Sequence, residues 1–445
     1  MAPRVANFTI KALTNAANRV AYINTFDEIV CYNWDSLFQI SDINAFEINL
    51  IIKKTTLASR ISLVMRICEI GSDDIFQSIM DTNGYFEFNF PSGKRPIHIV
   101  NTLEKLQYLI NNGVDLMCAD EHGNQKIHIL CMNNNLELLK VIIERNVNLE
   151  CCNNMGMRPI HFACICNSLD IVKLLIKKGV DLECNNKINR RPIHYACKYG
   201  SLELIQFMIN CGVDVDCQDE KHVRPIHLIC KYNTLEVLKN VVDYFNRSLE
   251  EPILDSLLTP LHLLCNRGIT EMVKVIVDRG VNLECADCTG YRPIHYASMR
   301  SLDLLSYLVE CGADIETKSN MIENYPIHVV CMYGDLNMFK YIYERGANLE
   351  SENILGHRPI HLLCRFGAHI DWIKYAISLG INLECEDKNG KRPIHYICQF
   401  GTLEMLNYLP NVELNCADNN GKYPIDYAQN CCEKMKFFAK KLQKN

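Results

Sequence analysis

The tripeptide Pro-Ile-His, or a close variant of it, returns along most of this chain at Pro96, Pro159, Pro192, Pro225, Pro260, Pro293, Pro326, Pro359, Pro393 and Pro424, with Lys126 in the proline's place once. Most successive spacings are 33 residues, as between Pro192 and Pro225, so eleven copies fill residues 95–445. A self-similar period of this length predicts one supersecondary unit stacked on itself. The unit Arg191 to Cys217 shows how it folds. Proline at the first helical position has its φ preset and lacks only a donor the helix would leave unpaired. Ile193, Ala196 and Cys197 then recur at helical spacing, small enough to admit a second helix. Tyr199-Gly200-Ser201 predicts a break, with Gly200 left-handed at the first helix's end and Ser201 capping the next. Leu202, Leu204, Ile205, Met208 and Ile209 form the second apolar stripe, and Gly212 ends it. The polar run from Val213 to Arg224 crosses to the next unit as a β-turn finger.

These residues resemble the ankyrin-repeat family. The resemblance implies an all-α, helix-turn-helix repeat solenoid with short β-turn fingers, and a histidine in each repeat bonded to backbone at the repeat junction. Ten histidines hold that position, two residues after the repeat's first residue: His98, His128, His161, His194, His227, His262, His295, His328, His361 and His395. The family's usual threonine before the proline survives only at Thr259. Arginine replaces it at Arg95, Arg158, Arg191, Arg224, Arg292, Arg358 and Arg392, while acids stand across the finger base at Glu150, Glu183, Asp216, Glu284, Glu350 and Glu384. Pairs such as Glu183 with Arg191 are expected to fix finger geometry; a ligand-facing basic stripe is the alternative use of these arginines.

The same register absorbs residues that look chemical. Of 24 cysteines, fifteen fall in two fixed positions. Cys131, Cys164, Cys197, Cys230, Cys265, Cys331, Cys364 and Cys398 lie in the first helix. Cys118, Cys151, Cys184, Cys217, Cys285, Cys385 and Cys416 lie at the finger base. Both sets read as small buried hydrophobes. Cys285-Ala-Asp-Cys288 is a single CxxC without a second pair at zinc spacing, so no metal is expected. A 33-residue period spreads the histidines along the array and does not converge them on a site. Phosphate-cradling glycine loops, nucleophile elbows, HExxH and kinase signatures are absent, so neither catalytic residues nor a cofactor is assigned. The net charge of -6 gives no pull towards nucleic acid. No apolar run reaches membrane-spanning length.

Residues 1–94 carry no Pro-Ile-His copy and are expected to form a helical cap abutting the first repeat. Helical spacing runs through Phe26 to Ile40, where Trp34 and Phe38 can pack, then Ala45 to Lys54 and Ala58 to Ile70, with a short helix from Asp73 through Ile79. Arg4, Lys11 and Arg19 precede the first acid, Asp27, in a pattern open to a transit segment, but a solvated helix and a cytoplasmic location are the expectation. The first and last repeats are degenerate. Asp243 to Thr259 replaces a regular ending and should disturb the stack or project from it. Trp372 is expected in the core, Pro410 cuts a helix short, and Lys434, Lys436, Lys440, Lys441 and Lys444 belong to a solvated terminal helix.

Function then rests on the unrepeated residues. The resemblance implies a concave face of first helices and fingertips that binds protein. Seven residues after each proline lie Tyr199, Tyr232, Arg267, Arg300, Tyr333, Phe366 and Phe400, and just before three of them Lys198, Lys231 and Arg365. Aromatics and arginine dominate interface energetics. These ten are the candidate partner-binding residues; the competing reading has the rings merely covering the inter-helix turn. The expected function is a monomeric, non-enzymatic protein-protein interaction scaffold, without membrane or nucleic-acid partners. Alternatives are a ubiquitin-ligase substrate adaptor recruiting through residues 1–94, and a metal- or redox-linked cysteine-rich protein.

Overall fold

Proline opens a helix in repeat after repeat of the computed structural model, as in Pro159–Ile165, Pro192–Tyr199, Pro225–Tyr232, Pro260–Arg267, Pro326–Tyr333 and Pro393–Phe400. The structure describes residues 45–54, 57–366, 369–410, 412–428 and 432–442. The basic N-terminal residues, the helix expected over Phe26 to Ile40 with Trp34 and Phe38, and Lys444 lie outside them. Among the described residues there are helices and turns but no strand. Two compact units, Met1–Asp214 and Val215–Asn445, divide the chain. Within each, first helices pack on first helices and second helices on second helices of the neighbouring repeats.

The second helix starts where a side chain caps it. Ser201 accepts from Leu204 N at 3.4 Å and Asp335 from Met338 N at 2.8 Å, each satisfying a donor the helix leaves open. Ile193, Ala196, Cys197, Leu204, Ile205 and Met208 are buried, each large aliphatic contributing about 1.5–3 kcal/mol. Gly212 is left-handed at φ 80°. Gly200 corrects the expectation: it is extended, at φ -80° and ψ 159°. Glycine is needed there for room, since a Cβ would stand 2.5 Å from the Ala196 carbonyl oxygen.

The region before the first proline contains an unexpected relative of the repeat. Leu57–Ile70 packs on Pro96–Ile99, and Asp73–Asn83 on Leu103–Asn111, in the first-helix and second-helix positions. Gly71-Ser72 does what Gly200-Ser201 does: a Cβ on Gly71 would meet Ile67 O at 2.8 Å, and Ser72 accepts from Ile75 N at 3.4 Å. Gly84 ends the second helix at φ 63°, and Glu87 pairs with Arg95 at 2.6 Å across the finger. Residues 57–95 are thus a helix pair and finger of repeat geometry without Pro-Ile-His.

Cations close the exposed carbonyls at first-helix ends. Lys105 Nζ donates to Ile67 O and Cys68 O at 3.4 and 3.3 Å, and Lys434 Nζ to Ile397 O and Cys398 O at 3.3 and 2.8 Å. Lys434 is therefore buried, not solvated as expected, because its amine matches the negative end of a helix; Lys436 is exposed as expected. The irregular segment also departs from expectation. Val242–Ser248 continues as a 3-10 turn that buries Val242 and Phe245, and Ser248 Oγ donates to the Asp216 carboxylate. It folds back onto its repeat, leaving Tyr244, Leu254 and Leu257 exposed. Trp372 is half-buried, its ring 5.8 Å from that of Phe339.

Candidate protein-binding face

The position seven residues after the proline falls at the last turn of the first helix, where the chain bends towards the second. Tyr199, Tyr232, Phe366, Phe400 and Tyr333 stand there with 47 to 59 % of their surface exposed. Lys198 Nζ lies 4.7 Å from the Tyr199 ring centre, Lys231 Nζ 5.3 Å from that of Tyr232, and the Arg365 guanidinium 5.4 Å from that of Phe366. Each cation-ring contact contributes about 0.5–1 kcal/mol at such sites and holds the ring upright.

Two members of the set differ. Arg267 is half-buried, and its guanidinium reaches back to Cys230 O and Asn233 O, both at 2.8 Å, closing the first helix of the preceding repeat. Arg300 matches only by count. The first helix of its repeat stops at Ala297, one residue is missing before the Ser301 cap, and Arg300 slips into the place Gly200 holds elsewhere. There it donates to Asn266 Oδ1 at 2.6 Å while staying exposed.

Helical periodicity gives no signal at the fingertips, and a second set of exposed apolar residues was missed there. Met321, Ile322, Ile354 and Leu355 are 41 to 66 % exposed. Neighbouring tips are joined by single backbone bonds, Ile354 N to Ile322 O at 2.9 Å and Lys388 N to Leu355 O at 3.1 Å. Large apolar residues beside the turn glycine or asparagine, where polar ones suit solvent, are the one signal that marks them.

The finger arginines are occupied. Arg158 pairs with Glu150, Arg191 with Glu183 and Arg358 with Glu350; Arg292 meets Glu284 at 2.6 Å and Arg392 meets Glu384 at 2.8 Å. Arg224 is the exception: it donates to the Asp216 carbonyl and reaches Glu251 at 3.4 Å, because Ser248 takes the Asp216 carboxylate. The glutamates also join successive repeats, the second oxygen of Glu183 accepting from Asp214 N at 2.9 Å and that of Glu284 from Asp314 N at 2.9 Å. Glu183→Ala is therefore expected to cost about 1–2 kcal/mol in urea unfolding, more than the 0–1 kcal/mol of an exposed ion pair. Arg191→Ala should cost less than Glu183→Ala.

Each repeat histidine accepts from the backbone N–H three residues before it, as at Arg158 N to His161 Nδ1, 3.0 Å. The other nitrogen faces a carbonyl of the next finger in most repeats, as His295 Nε2 to Asn324 O, 3.1 Å. This is a neutral imidazole, and burial pushes His161, His227, His295, His328 and His361 down to about 4. Thr259 alone adds a hydroxyl, 2.8 Å from His262 Nδ1. Burial likewise pushes the buried cysteine thiols up, Cys151 and Cys184 to about 12, far from a reactive thiolate. The buried trio of His357, Asp387 and Tyr396 is held together by Tyr396 donating to Asp387 at 2.6 Å, with no surface for a substrate to reach. Among the described residues no group of three or more His, Cys, Asp or Glu could hold a metal, and no helix is long and apolar enough to cross a membrane.

Helix pairs in series, with the repeat histidines and first-helix cysteines buried between them, define a helical-repeat protein. Residues 97–187, 249–319 and 360–445 match the family model described as ankyrin repeats in three copies, and residues 167–209 and 193–239 match that for ankyrin repeats in many copies. The matches cover more than half of the chain, which belongs to the ankyrin-repeat family. Among solved structures it is similar to the ankyrin repeat domain of Bcl-3, described as a unique member of the IkappaB protein family. The likeness has 20 % identity and a TM-score of 0.42, and covers 50 % of this chain and 100 % of that one. No curated protein matches the chain. Ankyrin repeats form protein-protein interaction domains, and the fold is typically a non-catalytic scaffold.

Proposed function

We propose that this protein is a non-catalytic, monomeric scaffold of the cytoplasm that binds a protein partner through the first-helix row and the fingertips. One observation carries the reading: half-exposed rings recur at one repeat position, while the ten repeat histidines and the first-helix cysteines are buried in structural registers. A compartment that keeps thiols reduced suits a chain that packs with cysteine. We assign residues 1–94 the role of cap, because the part from Leu57 onward packs on the first repeat as another repeat would.

The test is affinity capture with the full chain and a variant carrying Tyr232→Ala, Tyr333→Ala, Phe366→Ala and Phe400→Ala. Interface aromatics contribute about 2 kcal/mol or more each, so captured partners should fall by at least about 30-fold while the thermal melt is unchanged. Undiminished capture would remove this face from the interface.

A further inference from the structure

The first helices carry no carboxylate from Pro159 to Phe400, although the chain as a whole has a net charge of -6. Their cations are Lys198, Lys231, Arg267 and Arg365, joined by Arg300 in the turn. Acids begin instead with the second helices, at Glu203, Glu236, Glu271, Asp303 and Glu404, and in the fingers, where they meet arginine. The acids are therefore segregated by element, the second helices holding both signs, as with Lys239 and Lys274 beside Glu236 and Glu271. Within the unit Val215–Asn445 the cationic heads contact rings, amides and carbonyls: Lys231 the Tyr232 ring, Arg267 two backbone oxygens, Arg300 the Asn266 amide and Arg365 the Phe366 ring. None of these contacts neutralises positive charge.

We infer that this row takes an extended acidic segment of a partner protein, its carboxylates meeting Lys231, Arg300 and Arg365 and its apolar residues lying on Tyr232, Tyr333, Phe366 and Phe400. The inference rests on the protein-binding function proposed above and adds the partner's chemistry. Charge complementarity steers such a segment to the row and rejects basic ones. Length is also constrained. Five helix-to-helix steps of about 8–10 Å separate the Pro225 and Pro393 helices, and an extended segment covers that span with about 12–15 residues at roughly 3.3 Å each. A nucleic acid fits worse: its strand carries a phosphate every 3.4 Å or so, far denser than the four cations presented over these six repeats.

A phage-displayed library of random 15-residue peptides, panned against the full-length protein, tests this. Enriched sequences are expected to carry net negative charge with interspersed apolar residues. They should bind at least tenfold more weakly to the Lys231→Glu, Arg365→Glu variant, and more weakly as salt rises from 50 to 300 mM. Neutral or basic winners, an empty selection, equal binding to the charge-reversed variant, or displacement of winners by a single-stranded 20-nucleotide DNA would each overturn the inference. The aromatic variant separates the two levels: partners lost with the rings removed but kept after charge reversal leave the binding face standing and refute its acidic ligand.

Discussion

Replacing Lys126 with methionine is expected to stabilise the protein at pH 7 by about 2–3 kcal/mol. Lys126 stands where other repeats have proline, and its side chain is buried with the amine donating to the Val100 carbonyl. Burial pushes that amine down to about 7 from an ordinary value of 10.5. The unfolded chain therefore holds a proton that the folded chain holds only weakly, and stability rises with pH from about 7 to 10.5. At pH 7 nearly the whole penalty is present, about 5 kcal/mol at 1.4 kcal/mol per tenfold. Methionine keeps the reach and volume without the charge. It leaves the Val100 oxygen without its donor, a loss of about 1–3 kcal/mol, which sets the net gain. In a domain of this size that corresponds to a melting temperature about 4–10 °C higher. The advantage should shrink as pH rises towards 10.5, above which wild-type lysine is neutral in both states. A variant no more stable than wild type at pH 7 would show that the amine is stabilising as it stands.

Lys126 was conspicuous in the sequence as an interruption of Pro-Ile-His, yet nothing in the sequence said where its amine goes. That contrast holds for the whole molecule. Whatever recurs at the period was legible: the helix starts, the capping Ser201, the histidine bonds and the buried cysteines, because a repeated environment repeats its residue types. What depends on local fit was not. Residues 57–95 fold as a repeat without its signature, since shape is set by the Gly-Ser turn and the apolar stripe and not by the proline. Gly200 serves a close approach where a left-handed turn was expected, and one missing residue before Ser301 moves Arg300 into the turn. Lys434 looks solvated in a lysine-rich tail, but its amine finds two helix-end carbonyls. The half-exposed rings could be counted from the proline; the apolar fingertips could not, because a turn has no period to betray it.

Acid should unfold the protein as pH falls from 6.5 towards 4, beginning above the range in which carboxylates lose their charge. The cause is the histidine row. His161, His227, His295, His328 and His361 have folded values near 4, lowered chiefly by burial against an ordinary 6.5. His98, His128, His262 and His395 are lowered in the same way. A depressed folded value means that the unfolded chain takes up protons first, so stability is complete above 6.5 and is lost as pH falls towards 4. Protonation also turns Nδ1 from acceptor to donor, setting it against the backbone N–H it serves in every repeat. Each of the five strongly depressed imidazoles costs up to about 3 kcal/mol across the window, a sum comparable to the whole stability of an ordinary domain. Four of the five lie in Val215–Asn445 and only His161 in Met1–Asp214. The C-terminal unit should therefore fail first. Urea unfolding followed by circular dichroism at pH 7, 5.5 and 4.5 should show a midpoint that falls steeply and splits into two transitions. His295→Gln keeps a side-chain acceptor and donor but cannot titrate; it should be less stable at pH 7 and lose less on acidification. A midpoint that stays flat down to pH 4 would mean that the imidazoles are not held neutral by the fold.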